Sequence, residues 1–177
     1  TKVDEATSDD DSTYIQSSGT NSPIIMGYTY SGTEPVGTIS VKVHVDARRT
    51  NNNRTRRIRG MLQVGGTNYE SARDDLSTGY DRYTYTWANN PNTSSPWTWE
   101  QIKNIAASGN LNGFGVRADD IYSNTTNIRV TQVYLTVEVV PPAGGPYRII
   151  VDQGMVKAEG LIDSLDSEVR FGLAYYN

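Results

Sequence analysis

Two segments of the chain, residues 38–46 and residues 131–140, alternate between apolar and polar side chains. The apolar positions are Ile39, Val41, Val43, Val45, Val133, Leu135, Val137 and Val139. A period of two places apolar residues on one side of a β-strand and polar residues on the other. We therefore predict two strands of an antiparallel sandwich, each with one face in a core and one in water.

The rest of the first 140 residues fits the same architecture. Further strands are predicted over residues 12–16, 24–30, 58–64, 80–88 and 111–118, and the first alternating strand extends over residues 36–47. Gly60 marks a predicted bulge. Residues 48–57, which contain three consecutive asparagines, are predicted as a hairpin tip, and Gly65 opens a predicted loop-rich passage. One short helix is expected over residues 97–105, capped by Thr98. The predicted fold is an all-β, jelly-roll-like antiparallel β-sandwich over residues 1–140.

The pattern changes after Val140. Residues 141–147 begin with PPAGGP, which predicts a linker. An amphipathic helix is predicted from the spacing of Val151, Met155, Ala158, Ile162 and Leu165. The nearly continuous apolar run from Glu168 to Tyr176 predicts a strand buried on both faces. Residues 148–177 are therefore expected to be a helix-strand piece of an incomplete α/β domain whose remainder lies outside this chain.

Composition and charge narrow the range of functions. The net charge of −4 indicates no general attraction to nucleic acid or to membranes, and neither partner is expected. The chain contains no cysteine, so disulfides, thiolate metal sites and thiol nucleophiles do not arise. It also has no apolar run near the roughly 20 residues that a membrane helix requires, and membrane insertion is not predicted.

Acidic and basic clusters are the first candidates for binding chemistry. Asp9, Asp10 and Asp11 offer the oxygen ligands that Ca²⁺ prefers, although the same cluster fits a solvated terminal arm. Six arginines lie within twelve positions from Arg48 to Arg59. Among them, the candidate ligands for a phosphate or an acidic sugar are Arg49, Arg54 and Arg57. The alternative is a charged hairpin that keeps a sheet edge soluble.

Aromatic residues suggest a second kind of contact. Tyr83, Tyr85 and Trp87 share one face of a predicted strand, which is most simply the core. Better candidates for exposed contacts are Tyr28, Tyr30, Tyr122 and Tyr134, and from these Tyr30 and Tyr134 are taken as the candidate ligand contacts. These two tyrosines and the arginines form the predicted ligand-binding set.

Catalytic chemistry has little support in the sequence. The single histidine, His44, lies on the outward face of its predicted strand, and no nucleophile motif accompanies it. A paired-carboxylate hydrolase has candidate residues, but the sequence prefers no pair among them. These candidates are Glu70, Asp74, Asp75, Glu100, Asp119 and Asp120. We therefore predict that the protein is not an enzyme.

Several motifs together resemble a known module. They are DDDSTYI at 9–15, YTYTWANNP at 83–91, WTWE at 97–100, LNGFGVRA at 111–118 and VTQVYLTVEV at 130–139. In order and spacing they resemble a lectin-like jelly-roll module that recurs in bacterial surface proteins and phage virion proteins. The resemblance covers residues 1–140 and implies a sandwich without a defined activity.

A second resemblance involves residues 155–177, MVKAEGLIDSLDSEVRFGLAYYN. This segment is similar to a helix and strand of the von Willebrand factor A-like domain in type IV pilus tip adhesins, into which large modules can be inserted. The metal motif of that family, Asp-x-Ser-x-Ser, is absent from this sequence. No adhesion-site metal ligand is therefore assigned to any residue.

The two resemblances imply a non-enzymatic, extracellular binding or structural module of a bacterial surface appendage, as part of a pilus-tip adhesin. One alternative is a glycan-binding, lectin-like or phage receptor-binding domain. Another is a filament subunit that assembles by strand addition. The expected partners are the remainder of the parent polypeptide or a neighbouring copy, contacting the strand from Glu168 to Tyr176, and a surface glycan or host receptor.

Overall fold

The structure is a computed structural model. It describes residues 14–16, 23–28, 30, 34–50, 55–103, 107–119, 128–141, 147–152 and 155–159. The predicted metal ligands Asp9, Asp10 and Asp11 and the predicted ligand residue Arg54 lie outside these ranges, as do the predicted strand at 168–176 and Asp120.

Ten strands and one short helix make up the described part of the chain. In chain order they are β1 (Ile15–Gln16), β2 (Pro23–Met26), β3 (Thr38–Arg49), β4 (Arg57–Val64), β5 (Thr67–Asp75), β6 (Asp81–Trp87), α1 (Trp99–Lys103), β7 (Leu111–Ala118), β8 (Ile128–Val140), β9 (Tyr147–Asp152) and β10 (Met155–Glu159).

The strands form two antiparallel sheets with a jelly-roll topology. The first sheet has the order β10-β9-β8-β3-β6, with β1 paired to the start of β8, and the second has the order β2-β7-β4-β5. The first eight strands pair as 1 with 8, 2 with 7, 3 with 6 and 4 with 5, which is the pairing of one long hairpin rolled into two sheets. The predicted jelly-roll-like sandwich is confirmed.

The core lies between the two sheets. The eight alternating apolar positions named above are each at most 3 % exposed, as predicted, whereas Val140 at the end of the second segment is 44 % exposed. The second sheet contributes Ile58, Leu62, Val64, Phe114 and Val116 to the same cluster. Full burial of such a side chain contributes roughly 1.5–3 kcal/mol, so the alternation of apolar residues largely explains why these strands fold against one another.

Gly60 is a bulge, as the sequence predicts. The register of β4 against β5 shifts between Arg59 and Met61. The ring of Tyr85 packs onto the glycine from the first sheet, and a Cβ atom at Gly60 would lie 2.2 Å from its Cδ2 atom. Glycine is therefore required here because the opposing aromatic ring occupies the space of a side chain.

The predicted helix is present, and it begins two residues later than expected. It begins at Trp99, and Thr98 caps it: the Thr98 Oγ1 accepts a hydrogen bond from the Gln101 backbone N–H at 3.4 Å. The Gln101 side chain accepts one from the Thr98 backbone N–H at 3.1 Å, which completes a capping box. Trp97 precedes the helix, is buried, and donates its indole N–H to the Trp87 carbonyl at 3.0 Å.

Two predictions about connections are wrong. Residues 48–57 do not form a hairpin tip, because β3 belongs to the first sheet and β4 to the second. Gly65 and Gly66 form a two-residue turn between β4 and β5, with φ of 59° and 80°. The loop predicted after them is therefore a strand, β5, whose side chains are almost all exposed because it is a sheet edge.

The helix predicted through Val151, Met155 and Ala158 is also wrong over the described residues. These residues lie in two antiparallel strands, and β9 pairs with residues 135–139 of β8. The short β1 pairs only with Arg129 and Val130 on β8. The remaining edge of β8 therefore offers unpaired backbone groups, which a strand satisfies and a helix does not. Tyr147, expected in the linker, begins β9, and the domain boundary at residue 140 stays a prediction.

Candidate ligand-binding face

The outward side of the first sheet collects polar side chains from three adjacent strands, β8, β3 and the edge strand β6. Because neighbouring residues alternate between faces, the polar residues of β3, β6 and β8 point away from the core. We call this surface the polar face. Its members are Lys42, His44, Asp46, Arg48, Arg82, Thr84, Arg129, Gln132, Tyr134, Thr136 and Glu138.

His44 is at the centre of the polar face. Its Nδ1 atom lies 2.9 Å from the Thr84 hydroxyl and its Nε2 atom 2.9 Å from the Thr136 hydroxyl. The imidazole also stacks on the Tyr134 ring, with centroids 4.5 Å apart and planes 14° from parallel. His44 is therefore on the outward face, as predicted, but it is only 6 % exposed. Both ring nitrogens are engaged in holding three strands together.

Arg82 crosses the face from β6 toward β8. Its Nε and Nη2 atoms donate to the two carboxylate oxygens of Asp46 at 2.7 and 2.8 Å, and Nη2 also lies 3.3 Å from the Gln132 side-chain oxygen. Its Cζ atom is 5.3 Å from the Tyr134 ring centroid. The hydrogen bonds to Asp46 raise the pKa of Arg82, and burial opposes that effect. The bidentate pair fixes the guanidinium plane.

A row of four residues crosses the sheet at the end where β8 begins. Arg48 and Arg129 are directly opposite each other in the β3 and β8 pairing. The Arg48 Cζ atom lies 5.1 Å from the Tyr80 ring centroid, and the Arg129 Cζ atom lies 4.3 Å from that of Tyr14. All four side chains are half-buried. We call these residues the arginine row.

Two other arginines approach the same end of the sandwich. Arg49 follows Arg48 and pairs in register with Ile128, and its backbone N–H donates to the Ser77 carbonyl at 2.8 Å. Arg56 precedes β4 and is 1 % exposed. Arginine is therefore concentrated where the chain crosses between the sheets.

The outer side of the second sheet is a lattice of ion pairs. Arg59 Nε lies 3.0 Å from an Asp119 carboxylate oxygen, and Arg117 bridges Glu70 and Asp119, with 3.3 Å to the latter. Arg57 Nε lies 2.6 Å from Asp75 Oδ1. Of the carboxylates proposed for a hydrolase, Glu70 and Asp119 are therefore brought together, with a guanidinium between them.

The predicted ligand residues do not form one site. Tyr134 lies on the polar face, Arg49 lies near its end, and Arg57 is held by Asp75 on the other sheet. Tyr30 is half-buried, with its ring centroid 5.6 Å from that of Trp99. The predicted exposure of Tyr28 is wrong: it is 3 % exposed, and its hydroxyl donates to the Leu111 carbonyl at 3.1 Å. Tyr122 lies outside the described residues. The sequence reasoning missed Arg82, Arg129, Tyr14 and Tyr80. Arg48 belonged to the arginine cluster, but only the strand register places Arg129 beside it.

No group of three or more histidine, aspartate or glutamate side chains within the described ranges is placed to hold a metal ion. In the same part of the chain, no helix has the length and hydropathy needed to cross a bilayer.

The fold and this face define the class of the protein as an all-β jelly-roll sandwich with an organised polar surface. Comparisons with protein-family models, with curated proteins and with solved structures found no match.

Proposed function

We propose that this chain is a non-enzymatic, extracellular binding and structural module of a bacterial surface appendage, and that it forms part of a pilus-tip adhesin. The observation that carries the proposal is the polar face, an outward surface on which hydrogen bonds and ring contacts hold His44, Arg82 and Tyr134 in place. Pre-organised side chains lose little entropy on binding, which favours recognition by a rigid scaffold. The pilus-tip assignment draws on the sequence similarity of residues 155–177, although residues 155–159 form the strand β10 where that similarity implies a helix.

The surroundings of the carboxylates favour binding over hydrolysis. Carboxylate pairs that hydrolyse glycosides work with one protonated acid and one ionised partner. Glu70 and Asp119 instead share the guanidinium of Arg117, and Asp119 also contacts Arg59. This arrangement suits a structural ion-pair lattice.

Localisation on cells that carry the gene tests the proposal. Immunogold electron microscopy with antibodies raised against this chain is expected to label the tips of surface appendages. In parallel, a reducing-end assay on a panel of polysaccharides is expected to give the same background for the wild type and for Glu70→Gln. Label confined to the cell interior, or activity lost in the variant, would contradict the proposal.

A glycan-binding, lectin-like or phage receptor-binding role is the second candidate. It is favoured by the position of Tyr134, beside Arg82 on the polar face. A glycan array compares the wild type with Tyr134→Ala on this face and Arg57→Ala on the opposite sheet. Signals that fall only for Tyr134→Ala would support the role, and silence across the array would count against it.

A further inference from the structure

Strand β6 forms one edge of the first sheet. It pairs with β3 over all of its seven residues, Asp81–Trp87 against Val41–Ala47, without a register shift. Within the described ranges no other strand pairs with β6, and the one further hydrogen bond to its backbone runs from the Trp97 indole to the Trp87 carbonyl. Alternate residues of an edge strand direct their backbone N–H and C=O groups outward, so β6 presents a row of groups that another strand can use.

The other edge strands of the described structure carry features that oppose such pairing. Strand β5 has a register irregularity against β4 and ends in three charged residues, 73–75. Strands β1 and β2 have only two and four residues, β2 begins with Pro23, and β10 contains Lys157. Short length, proline, lysine and bulges all discourage pairing between sheet edges. The sequence of β6, DRYTYTW, contains no proline, glycine or lysine.

The two charged residues of β6 leave most of its edge neutral. Asp81 is the first residue of the strand. The Arg82 guanidinium points into the sheet, since it donates to both carboxylate oxygens of Asp46 at 2.7 and 2.8 Å and lies 3.3 Å from the Gln132 oxygen on β8. Residues 83–87 are tyrosine, threonine and tryptophan, which are enriched in strands. A strand added at this edge therefore meets neutral, strand-forming residues.

The two faces of β6 restrict how a second strand can be added. Its outward residues are Arg82, Thr84 and Thr86, and its inward residues are Tyr83, Tyr85 and Trp87. A strand that continues the sheet must place its apolar side chains on the inward side and its polar side chains on the outward side. A second copy of β6 meets this condition when a two-fold axis perpendicular to the sheet relates the two strands. The two strands then run antiparallel, and equivalent faces lie on the same side.

The residues of β6 complement one another in this arrangement. Pairing along the full length of the strand places Thr84 at the two-fold axis, opposite Thr84 of the second copy. Each Tyr83 then faces a Tyr85, and each Arg82 faces a Thr86. Threonine pairs and aromatic pairs across strands are stabilising, and no like charges face each other. A single strand edge is small beside a standard interface of about 1,600 Å², so the expected contact is weak and reversible.

We propose that this chain forms a two-fold dimer in which β6 of one copy pairs antiparallel with β6 of a second copy. The dimer joins the first sheets of both copies into one continuous sheet and places both polar faces on the same side. A ligand with repeated units can then contact two faces at once, which raises its apparent affinity. The inference concerns assembly and depends neither on the location on an appendage nor on the identity of a ligand.

Sedimentation velocity of the full chain over a series of concentrations tests the inference. The wild type is expected to shift reversibly from monomer to dimer and to form no larger species, because an isologous interface closes on itself. Addition of a different segment to the edge, such as residues 168–176 of a neighbouring chain, is a head-to-tail contact and gives growing oligomers. Species larger than a dimer would therefore contradict the proposal.

Two substitutions of Thr86 test the register of the pair. Thr86 is exposed and faces Arg82 of the second copy in the proposed dimer. Thr86→Lys sets like charges opposite each other at two symmetric positions and is expected to raise the dimer Kd at least about tenfold. Thr86→Glu sets opposite charges there and should dimerise at least as tightly as the wild type. The matched control, Thr38→Lys, adds the same charge at an exposed threonine of the interior strand β3 and should change the Kd less than about twofold.

The absence of cysteine from the chain allows a direct test of the two-fold axis. Residues directly opposite in an antiparallel pair have Cα atoms about 4.5–5.5 Å apart, within the range of about 4.4–6.8 Å that a disulfide spans. Thr84→Cys is expected to give a disulfide-linked dimer under mild oxidation, whereas Thr38→Cys should remain monomeric on a non-reducing gel. Circular dichroism establishes that each variant is folded, and the Thr86 variants decide the question if Thr84→Cys is not.

Four further results would overturn the inference. They are a wild type that stays monomeric at its highest soluble concentration, equal effects of Thr86→Lys and Thr38→Lys, a dimer weakened by Thr86→Glu as much as by Thr86→Lys, and a folded Thr84→Cys variant that forms no disulfide.

Discussion

Gly60→Ala tests whether the packing of the two sheets requires a residue without a side chain at position 60. The added Cβ would lie 2.2 Å from Cδ2, 2.5 Å from Cγ and 2.8 Å from Cβ of Tyr85. Carbon atoms pack at roughly 3.5–4.0 Å, so the ring or the strand must move by more than 1 Å. Tyr85 is 5 % exposed and lies between the sheets, which leaves it little room to move.

Overpacking a closely packed core typically costs about 1–3 kcal/mol. For a domain of this size, each kcal/mol lowers the melting temperature by about 2–4 °C. We therefore expect Gly60→Ala to lower Tm by several degrees in differential scanning calorimetry. Gly79→Ala is the matched control, because a Cβ there meets no atom within 4 Å. Its Tm should stay within about 2 °C of the wild type.

A double-mutant cycle tests whether contact with the Tyr85 side chain causes the loss of stability in Gly60→Ala. In a Tyr85→Ala background the Cγ and ring atoms that the new Cβ would meet at 2.2 and 2.5 Å are absent, and Gly60→Ala should then cost less than half of its effect in the wild type. An undiminished cost in that background would refute the reasoning, as would equal Tm changes for Gly60→Ala and Gly79→Ala.

Three further predictions concern the pKa of two buried tyrosines, the ion pairs of Asp119 and the cap of helix α1. Burial raises the pKa of Tyr28 and of Tyr85. Each is thus neutral in the folded state at pH values where the unfolded chain ionises, so stability should be constant below about pH 10 and fall above it. Urea titrations from pH 9 to 11 should show this fall, with a smaller slope in Tyr85→Phe, and an unchanged slope would contradict the assignment. Asp119→Asn should cost about 1–3 kcal/mol in urea unfolding because its 15 % exposed carboxylate holds Arg59 and Arg117. Asp75→Asn, which removes a 65 % exposed carboxylate paired with Arg57, should cost under about 1 kcal/mol, and equal costs would count against the lattice. Thr98→Ala should cost about 1 kcal/mol of stability by loss of the helix cap, and Thr98→Ser should restore most of it; no loss in Thr98→Ala would show that the cap is unimportant.

Part of the polar face could be predicted from the sequence. The alternation of β8 placed Tyr134 on an outward face, and that of β3 did the same for His44. The arginine row could not be predicted from the sequence, because it depends on which residue of β8 lies opposite Arg48. A bulge between Asp46 and Ala47 shifts that register. The buried apolar positions of β8 do change from even to odd numbers between Val130 and Val133, but that change does not identify the residue of β3 that lies opposite.

The sequence alone was sufficient to predict those elements whose conformation depends on their own residues. Alternation defined β3 and β8, Gly60 marked a bulge, and Thr98 marked a helix start. Tertiary structure decided which strands pair, and so it placed β3 and β4 in different sheets and made β9 and β10 strands where spacing suggested a helix. The physical reason is that periodicity reports only how a segment is buried. The partners of its backbone hydrogen bonds lie far away in the sequence and are fixed only when the sheets close around one core.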